Sequence, residues 1–263
     1  MASFQPVTAA LRVLDVLIVV NRLRQASVGD IFRATGLNQP TVVRMLETLI
    51  SAGFVTRHAT QALYMPTGRT LDLSCGYQAH EEMALAAGPI LSALHKQLRW
   101  PSDVAVYDSD AMVVARTSRS EGFVHFNRRP GYRAPLLGTS LGLAFLAFCD
   151  PATSEAALAV LRTSTDPWNA IIQKPAALQR LLETVRANGY ATMNADYADH
   201  AYNGAASAVG VPILIAGGIA GSLNLMYLRH SIDEAGVIAR FIAPLQDAAA
   251  AIAQALTALR AGG

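Results

Sequence analysis

The stretch Ala34-Thr35-Gly36-Leu37-Asn38-Gln39-Pro40-Thr41-Val42-Val43-Arg44-Met45-Leu46 decides how the start of the chain is read. Gly36 closes one helix, and Asn38 opens the next because its side chain can accept a hydrogen bond from the first turn. Pro40 fits that turn, where the backbone N–H groups have no intrahelical acceptor in any case. Beyond it Val42, Met45, Leu46, Leu49 and Ile50 recur at helical spacing and predict a buried stripe. Gln39, Thr41, Val43, Arg44, Glu47, Thr48 and Ser51 are left outside, so the free end of the helix is polar and cationic.

Working outward, Leu11, Leu14, Val16, Leu17, Ile18 and Val20 predict a first, mostly buried helix over 8–24. Ser27 as N-cap, with Asp30 at the third helical position, predicts a second short helix that stops at Gly36. Past Gly53, residues 54–58 and 62–65 read as two strands around the polar turn Ala59-Thr60-Gln61. Three helices and a hairpin make a winged helix-turn-helix. In that arrangement the third helix enters a DNA major groove with its N-terminal residues against base edges. The candidate DNA contacts are therefore Ser27, Gln39, Pro40, Thr41, Val43 and Arg44, with Arg57 and His58 on the wing. Over residues 1–66 six arginines face three acids with no lysine, a modest positive excess of the kind a polyanion partner needs. The same periodicity also fits a plain helical core or a winged-helix protein-interaction module.

Composition sets the outer bounds. The 263 residues are 52% apolar and 15% charged, which excludes disorder and predicts a well-buried globular chain with room for more than one domain. A net charge of +2 is too small to announce a partner by itself. Cys75 and Cys149 are far apart and belong to no metal-ligand pattern, which fits a reducing cytoplasm. Two uncharged runs, 134–149 and 211–228, approach the length of a membrane span. Pro212, Gly217, Gly218 and Asn224 make the second a pair of buried strands joined by a tight turn, and no transmembrane segment is predicted.

The runs Ala10-Leu11-Arg12-Val13-Leu14-Asp15-Val16-Leu17, Ile31 to Leu37, Thr41 to Leu49 and Ala52-Gly53-Phe54-Val55 resemble the DNA-binding domain of the IclR family of bacterial transcriptional regulators. The resemblance extends over essentially the whole chain. Trp100 to Val104, Asp110 to Val114, Pro135-Leu136-Leu137, Gly142-Leu143 and Leu146 to Cys149 are similar to the subgroup that activates catabolism of 3-(3-hydroxyphenyl)propionate and related aromatic acids. The fold class that follows is α+β, an N-terminal winged helix-turn-helix plus a C-terminal GAF-like effector-binding domain. We expect the DNA-binding domain over residues 1–66, a connector helix over 67–80, and an effector-binding and oligomerisation domain over 81–263.

For the second part, residues 67–77 and 81–98 read as helices, 104–107 and 112–115 as a strand pair, and 123–126 as a third strand. Helices follow over 140–148, 154–162, 175–188 and 233–259. The resemblance places the effector pocket at Leu137, Thr139, Ser140, Leu141, Ala206, Ala208, Asn224 and Met226. Tyr107 or His125 is expected to reach a phenolic hydroxyl. Family members usually carry His where Leu137 stands and Lys where Leu143 stands. Losing both makes the surroundings more apolar, which argues for a ligand with a ring over a very small acid. A helix starting at Thr139-Ser140 offers N–H groups and hydroxyls to a carboxylate.

The implied partners are promoter double-stranded DNA with a palindromic operator, a small aromatic carboxylate, RNA polymerase for an activator, and copies of the chain in a homodimer or homotetramer. No membrane partner, metal or cofactor is expected. Gly138-Thr139-Ser140-Leu141-Gly142 also satisfies the GxSxG pattern of a nucleophile elbow, with Asp196, Asp199, His200 and His230 downstream. A hydrolase using Ser140 is the alternative, weakened because Tyr132 to Pro135 makes a poor buried strand; the reading adopted is not an enzyme. The run 196–200 reads as a polar loop and lacks a helical His pair for a metal.

Overall fold

The computed structural model describes residues 4–118 and 128–262, with the side chains of Gln78 and Ala79 excepted. The chain divides into two compact units, Met1–Tyr77 and Gln78–Gly263. The first holds α1 (Thr8–Leu23), α2 (Val28–Thr35), α3 (Gln39–Ser51), and the wing strands β1 (Val55–Arg57) and β2 (Tyr64–Pro66). Val16, Leu17, Val19 and Val20 of α1 pack with Ile31, Val42, Leu46, Leu49 and Val55 into one core. The expectation that α1 is mostly buried is corrected: Leu11, Leu14 and Ile18 are each more than half exposed. Within this unit the small core can accept only one face of α1, and the helix carries apolar residues on two.

Local signals fix the helix ends. Ser27 accepts from Asp30 N while the Asp30 carboxylate accepts from Ser27 N and from its hydroxyl, a reciprocal cap on α2. Gly36 ends α2 in the left-handed conformation at φ 70°. Asn38 caps α3 by accepting from Thr41 N at 2.9 Å. The 3-10 segment Gly68–Leu73, read from sequence as part of a connector helix, stays bound to this unit. Thr67 Oγ1 donates to Gly53 O, and Arg69 Nη1 donates to Ala52 O at the C-terminus of α3, where a cation suits the helix dipole.

The second unit opens with α4 (Gln78–Leu98) and closes with α9 (Glu234–Gly262). Between them run β3 (Ser102–Asp108), β4 (Ala111–Thr117), β5 (Arg133–Pro135), α5 (Ser140–Phe148), α6 (Pro151–Leu161), α7 (Pro175–Asn188), β6 (Ala191–Thr192), α8 (Ala195–Tyr202), β7 (Ala206–Ile215) and β8 (Gly218–Leu228). The six strands form one antiparallel sheet in the order β5-β4-β3-β8-β7-β6. Pro135 is tolerated because β5 is an edge strand. The expected strand over 123–126, and His125 with it, lie outside the described residues.

One face of the sheet, carrying Val104, Val106, Val209, Val211, Leu223 and Leu225, packs on α4 and α9. α9 is long and apolar enough to cross a membrane by length and composition. Its Val237, Phe241, Leu245, Ile252 and Leu256 are buried in that same core, which accounts for its apolar face. The run 211–228 is the hairpin β7–β8, turning at Ala216-Gly217. The opposite face of the sheet is covered by α5 and α8, with α7 packed against α5. Here the reading of 196–200 as a loop is corrected: Asn194 accepts from Tyr197 N and starts a helix, which Asn203 ends at φ 49°.

Candidate nucleic-acid interface and effector site

Because Val42, Leu46 and Leu49 are buried, the N-terminal turn of α3 presents Gln39, Pro40 and Arg44 to solvent, with Thr41 and Val43 half-buried beside them. Arg44 makes no ion pair among the described residues, so its guanidinium is available to an anion or a base edge. On the wing Arg57 is exposed and His58 half-buried, its Nδ1 close to the Thr60 amide. Ser27 differs from the rest of the expected set, since its hydroxyl is engaged within the cap of α2. Arg33 pairs with Asp30 on α2.

In the second unit, register decides which residues share a face. Asn224 of β8 lies opposite Gly210 of β7 and opposite Asp103 of β3. A Cβ on Gly210 would meet the Ser140 carbonyl at 2.7 Å, so this row faces the start of α5. Two residues along on the same face come Ala208 and Met226, and beyond them Ala206. These three pack with Trp168, Met193, Tyr197 and Ala198. Ser140, Ala206, Ala208, Asn224 and Met226, separated by up to 86 positions in sequence, are thus set over one patch of sheet.

The patch carries an aromatic and polar cluster. Trp168 meets the Tyr197 ring edge-on at 5.0 Å, and Tyr197 meets Tyr202 at 6.3 Å. Tyr132 and Tyr197 share a hydrogen bond between hydroxyls at 2.9 Å. Arg128 Nη2 donates to the Tyr197 hydroxyl at 3.2 Å, and its Nη1 lies 4.0 Å from the Asp103 carboxylate. Asn224 accepts from Asp103 N through Oδ1, which leaves Nδ2 without an acceptor; Ser140 Oγ and Trp168 Nε1 are likewise buried and unpaired. Burial works against the charge on Arg128, but the tyrosines and Asp103 outweigh it and hold the guanidinium protonated. Burial also pushes the Tyr197 hydroxyl well above its ordinary value, so it remains a neutral donor and acceptor.

Other expected site residues lie elsewhere. Thr139 has spent its hydroxyl, accepting from Gly142 N and donating to Pro135 O as the cap of α5. Leu137 and Leu141 are buried in the core between α5 and the sheet. Tyr107 stacks flat on Phe145 at 4.6 Å and lines a separate cavity of about 370 Å³ with Phe148, Cys149 and the Gly217-Gly218 turn. The residues sequence reasoning missed are Arg128, Trp168, Tyr197 and Tyr202. No periodic or motif signal marks them, because only the tertiary fold brings them to Ala208 and Met226.

The serine-nucleophile geometry is absent among the described residues. Ser140 is fully buried with no partner for its hydroxyl, whereas Asp196, Asp199, His200 and His230 are exposed. Gly138 and Gly142 have a packing explanation instead. A Cβ on the first would strike the Tyr197 ring at 2.9 Å, and one on the second would sit 2.2 Å from Leu136 O.

Residues 9–59 match the family model of the IclR helix-turn-helix domain, and residues 75–254 match that of the C-terminal domain of the bacterial transcriptional regulator IclR. The chain belongs to the IclR family. IclR-family proteins are transcriptional regulators and not enzymes, with a DNA-binding domain ahead of an effector domain. Over 188 residues, 72% of this chain and 71% of the relative, it is 22% identical to the HTH-type transcriptional regulator KdgR of Escherichia coli (strain K12). Among solved structures it is similar to IclR of Thermotoga maritima, at 21% identity and a TM-score of 0.66, over 94% of this chain and 98% of that one. An IclR homolog from Microbacterium hydrocarbonoxydans, solved in complex with 4-hydroxybenzoate, is 23% identical with a TM-score of 0.68, over 95% of this chain and all of that one. These structural likenesses carry the fold.

Proposed function

We propose that this IclR-family regulator responds to a small aromatic carboxylate and activates an operon for aromatic-acid catabolism. The observation that carries the ligand class is the cluster on the α5 side of the sheet. Ser140 Oγ, Asn224 Nδ2 and Trp168 Nε1 are buried without partners beside the rings of Trp168, Tyr197 and Tyr202. Leaving each such group unpaired costs about 1–3 kcal/mol, which a ligand with a ring and a few polar atoms would offset. A relative solved with 4-hydroxybenzoate supports the same class, whereas Leu137 and Leu143 pack into the neighbouring core and do not bear on it. Of the residues proposed from sequence, Ser140, Ala206, Ala208, Asn224 and Met226 retain the strongest support.

The DNA-reading surface is the N-terminal turn of α3, with Gln39, Pro40, Thr41, Val43 and Arg44 toward base edges and Arg57 and His58 toward phosphates. Regulation follows from linkage, since a ligand that prefers one arrangement of two DNA heads must alter operator binding. A homodimer or homotetramer on a palindromic operator is supported by the exposed apolar residues Leu11, Leu14 and Ile18, spaced along one side of α1. The activator reading requires RNA polymerase as a partner, and the setting is the bacterial cytoplasm.

The test is thermal unfolding of the purified protein with 4-hydroxybenzoate, 3-(3-hydroxyphenyl)propionate, pyruvate or glyoxylate, because a ligand selective for the folded state raises the Tm. Selective stabilisation by the aromatic acids is expected. Stabilisation by pyruvate or glyoxylate alone overturns the aromatic reading. In vitro transcription that falls when the aromatic ligand is added overturns the activator.

A further inference from the structure

Arg128 is only 3% exposed, yet it is not a closed structural ion pair. Among the described residues its nearest carboxylate, on Asp103, lies 4.0 Å from Nη1, beyond hydrogen-bond reach. Of its five N–H groups, the one contact made within the described residues is Nη2 to the Tyr197 hydroxyl, while Nε and Nη1 have no acceptor. Nη2 carries two hydrogens and spends one on Tyr197, so one edge of the guanidinium still has two donors side by side. That is the geometry a carboxylate takes bidentately. The rings of Tyr132, Tyr202 and Tyr197 stand 5.1, 5.6 and 5.9 Å from the guanidinium carbon. They stabilise a desolvated cation through their faces while leaving its edge open.

A buried guanidinium that served only the fold would be expected to close on its counter-ion and saturate its donors, because desolvation is offset only by good geometry and complete hydrogen bonding. Here both are incomplete, and the open donors lie in the cluster that holds Tyr197, Tyr132 and, through Asp103, Asn224. We propose that Arg128 is the anchor for the effector's carboxylate, gripping it bidentately while the ring lies against Tyr197, Tyr202 and Trp168. With Asp103 already contributing one negative charge beside Arg128, a monocarboxylate fits better than a dicarboxylate. This inference rests on the effector reading given above and adds the residue that selects charge.

Calorimetric titration of the full chain tests it, with 4-hydroxybenzoate, 3-(3-hydroxyphenyl)propionate and their primary amides as probes. The wild-type protein should bind an acid and discriminate strongly against its amide. Arg128→Gln should weaken acid binding by about 100-fold, in line with losing one member of a buried charge contact. Arg128→Lys keeps the cation but loses the fork and should fall by about 10-fold, and it decides the matter if the glutamine variant does not fold. Arg128→Gln folded and binding the acid as wild type does, or Arg128→Lys unchanged in affinity, overturns the anchor and leaves the effector reading standing. Acid and amide bound equally by the wild type, or no acid bound at all, overturns the carboxylate reading and the anchor together.

Discussion

Replacing Gly142 by alanine tests why the GxSxG pattern exists in this chain. Alanine is the better helix former by about 1 kcal/mol, so in an accommodating helix the substitution would stabilise. In α5, however, the new Cβ would lie 2.2 Å from Leu136 O, 2.3 Å from its Cα and 2.5 Å from its carbonyl carbon. That is about 1 Å inside normal contact, and the obstacle is buried backbone that no rotamer change can move. α5 would have to lift from the sheet, where Ser140 already touches Gly210, and overpacking of this kind costs about 3 kcal/mol. The helix-propensity gain leaves a net loss of about 2 kcal/mol, equivalent to a fall in Tm of roughly 4–8 °C for a unit of this size. Scanning calorimetry of Gly142→Ala, beside Gly217→Ala as control, reads this directly. A methyl group added at Gly217 would have nothing within 4 Å, so that position should tolerate the change. A Gly142→Ala protein as stable as wild type, or more so, refutes the packing argument.

Arg44→Ala should cost about 1–3 kcal/mol in operator affinity and relax discrimination at one base position, whereas Arg57→Ala should weaken all sequences alike; binding selections on both variants separate the two. Asn38→Ala removes the acceptor for Thr41 N and should cost the first unit about 1 kcal/mol, read as faster hydrogen exchange in the first turn of α3. Asp30 is held below its ordinary carboxyl value by hydrogen bonds from Ser27, with Arg33 adding attraction. Its depressed pKa means the contribution is complete above the ordinary value and lost as pH falls through the folded one. Unfolding curves between roughly pH 5 and 2 should therefore lose acid sensitivity in Asp30→Asn, and identical pH profiles would remove Asp30 from that role.

The helix-turn-helix was legible because its signals are local. Ser27, Asp30, Gly36, Asn38 and Pro40 act within one turn of their own position, so the sequence alone placed α2 and α3, although Ile50, expected in the buried stripe of α3, is exposed at the helix end. The hairpin β7–β8 and the helix 140–148 were readable for the same reason, through turn glycines and an apolar run bounded by a cap. Part of the proposed effector cluster followed from family resemblance, which pointed to Ser140, Asn224, Ala208 and Met226, and the structure sets these over one patch of sheet. The sequence could not show that Thr139 spends its hydroxyl on its own helix, or that Tyr107 stacks on Phe145 away from the cluster. It also could not single out Arg128, one of twenty-one basic residues, as the one that is buried with open donors among the described residues. Caps and turns are decided within a few residues along the chain, whereas desolvation and unpaired hydrogen bonds depend on neighbours that only β-sheet register and helix packing bring into contact.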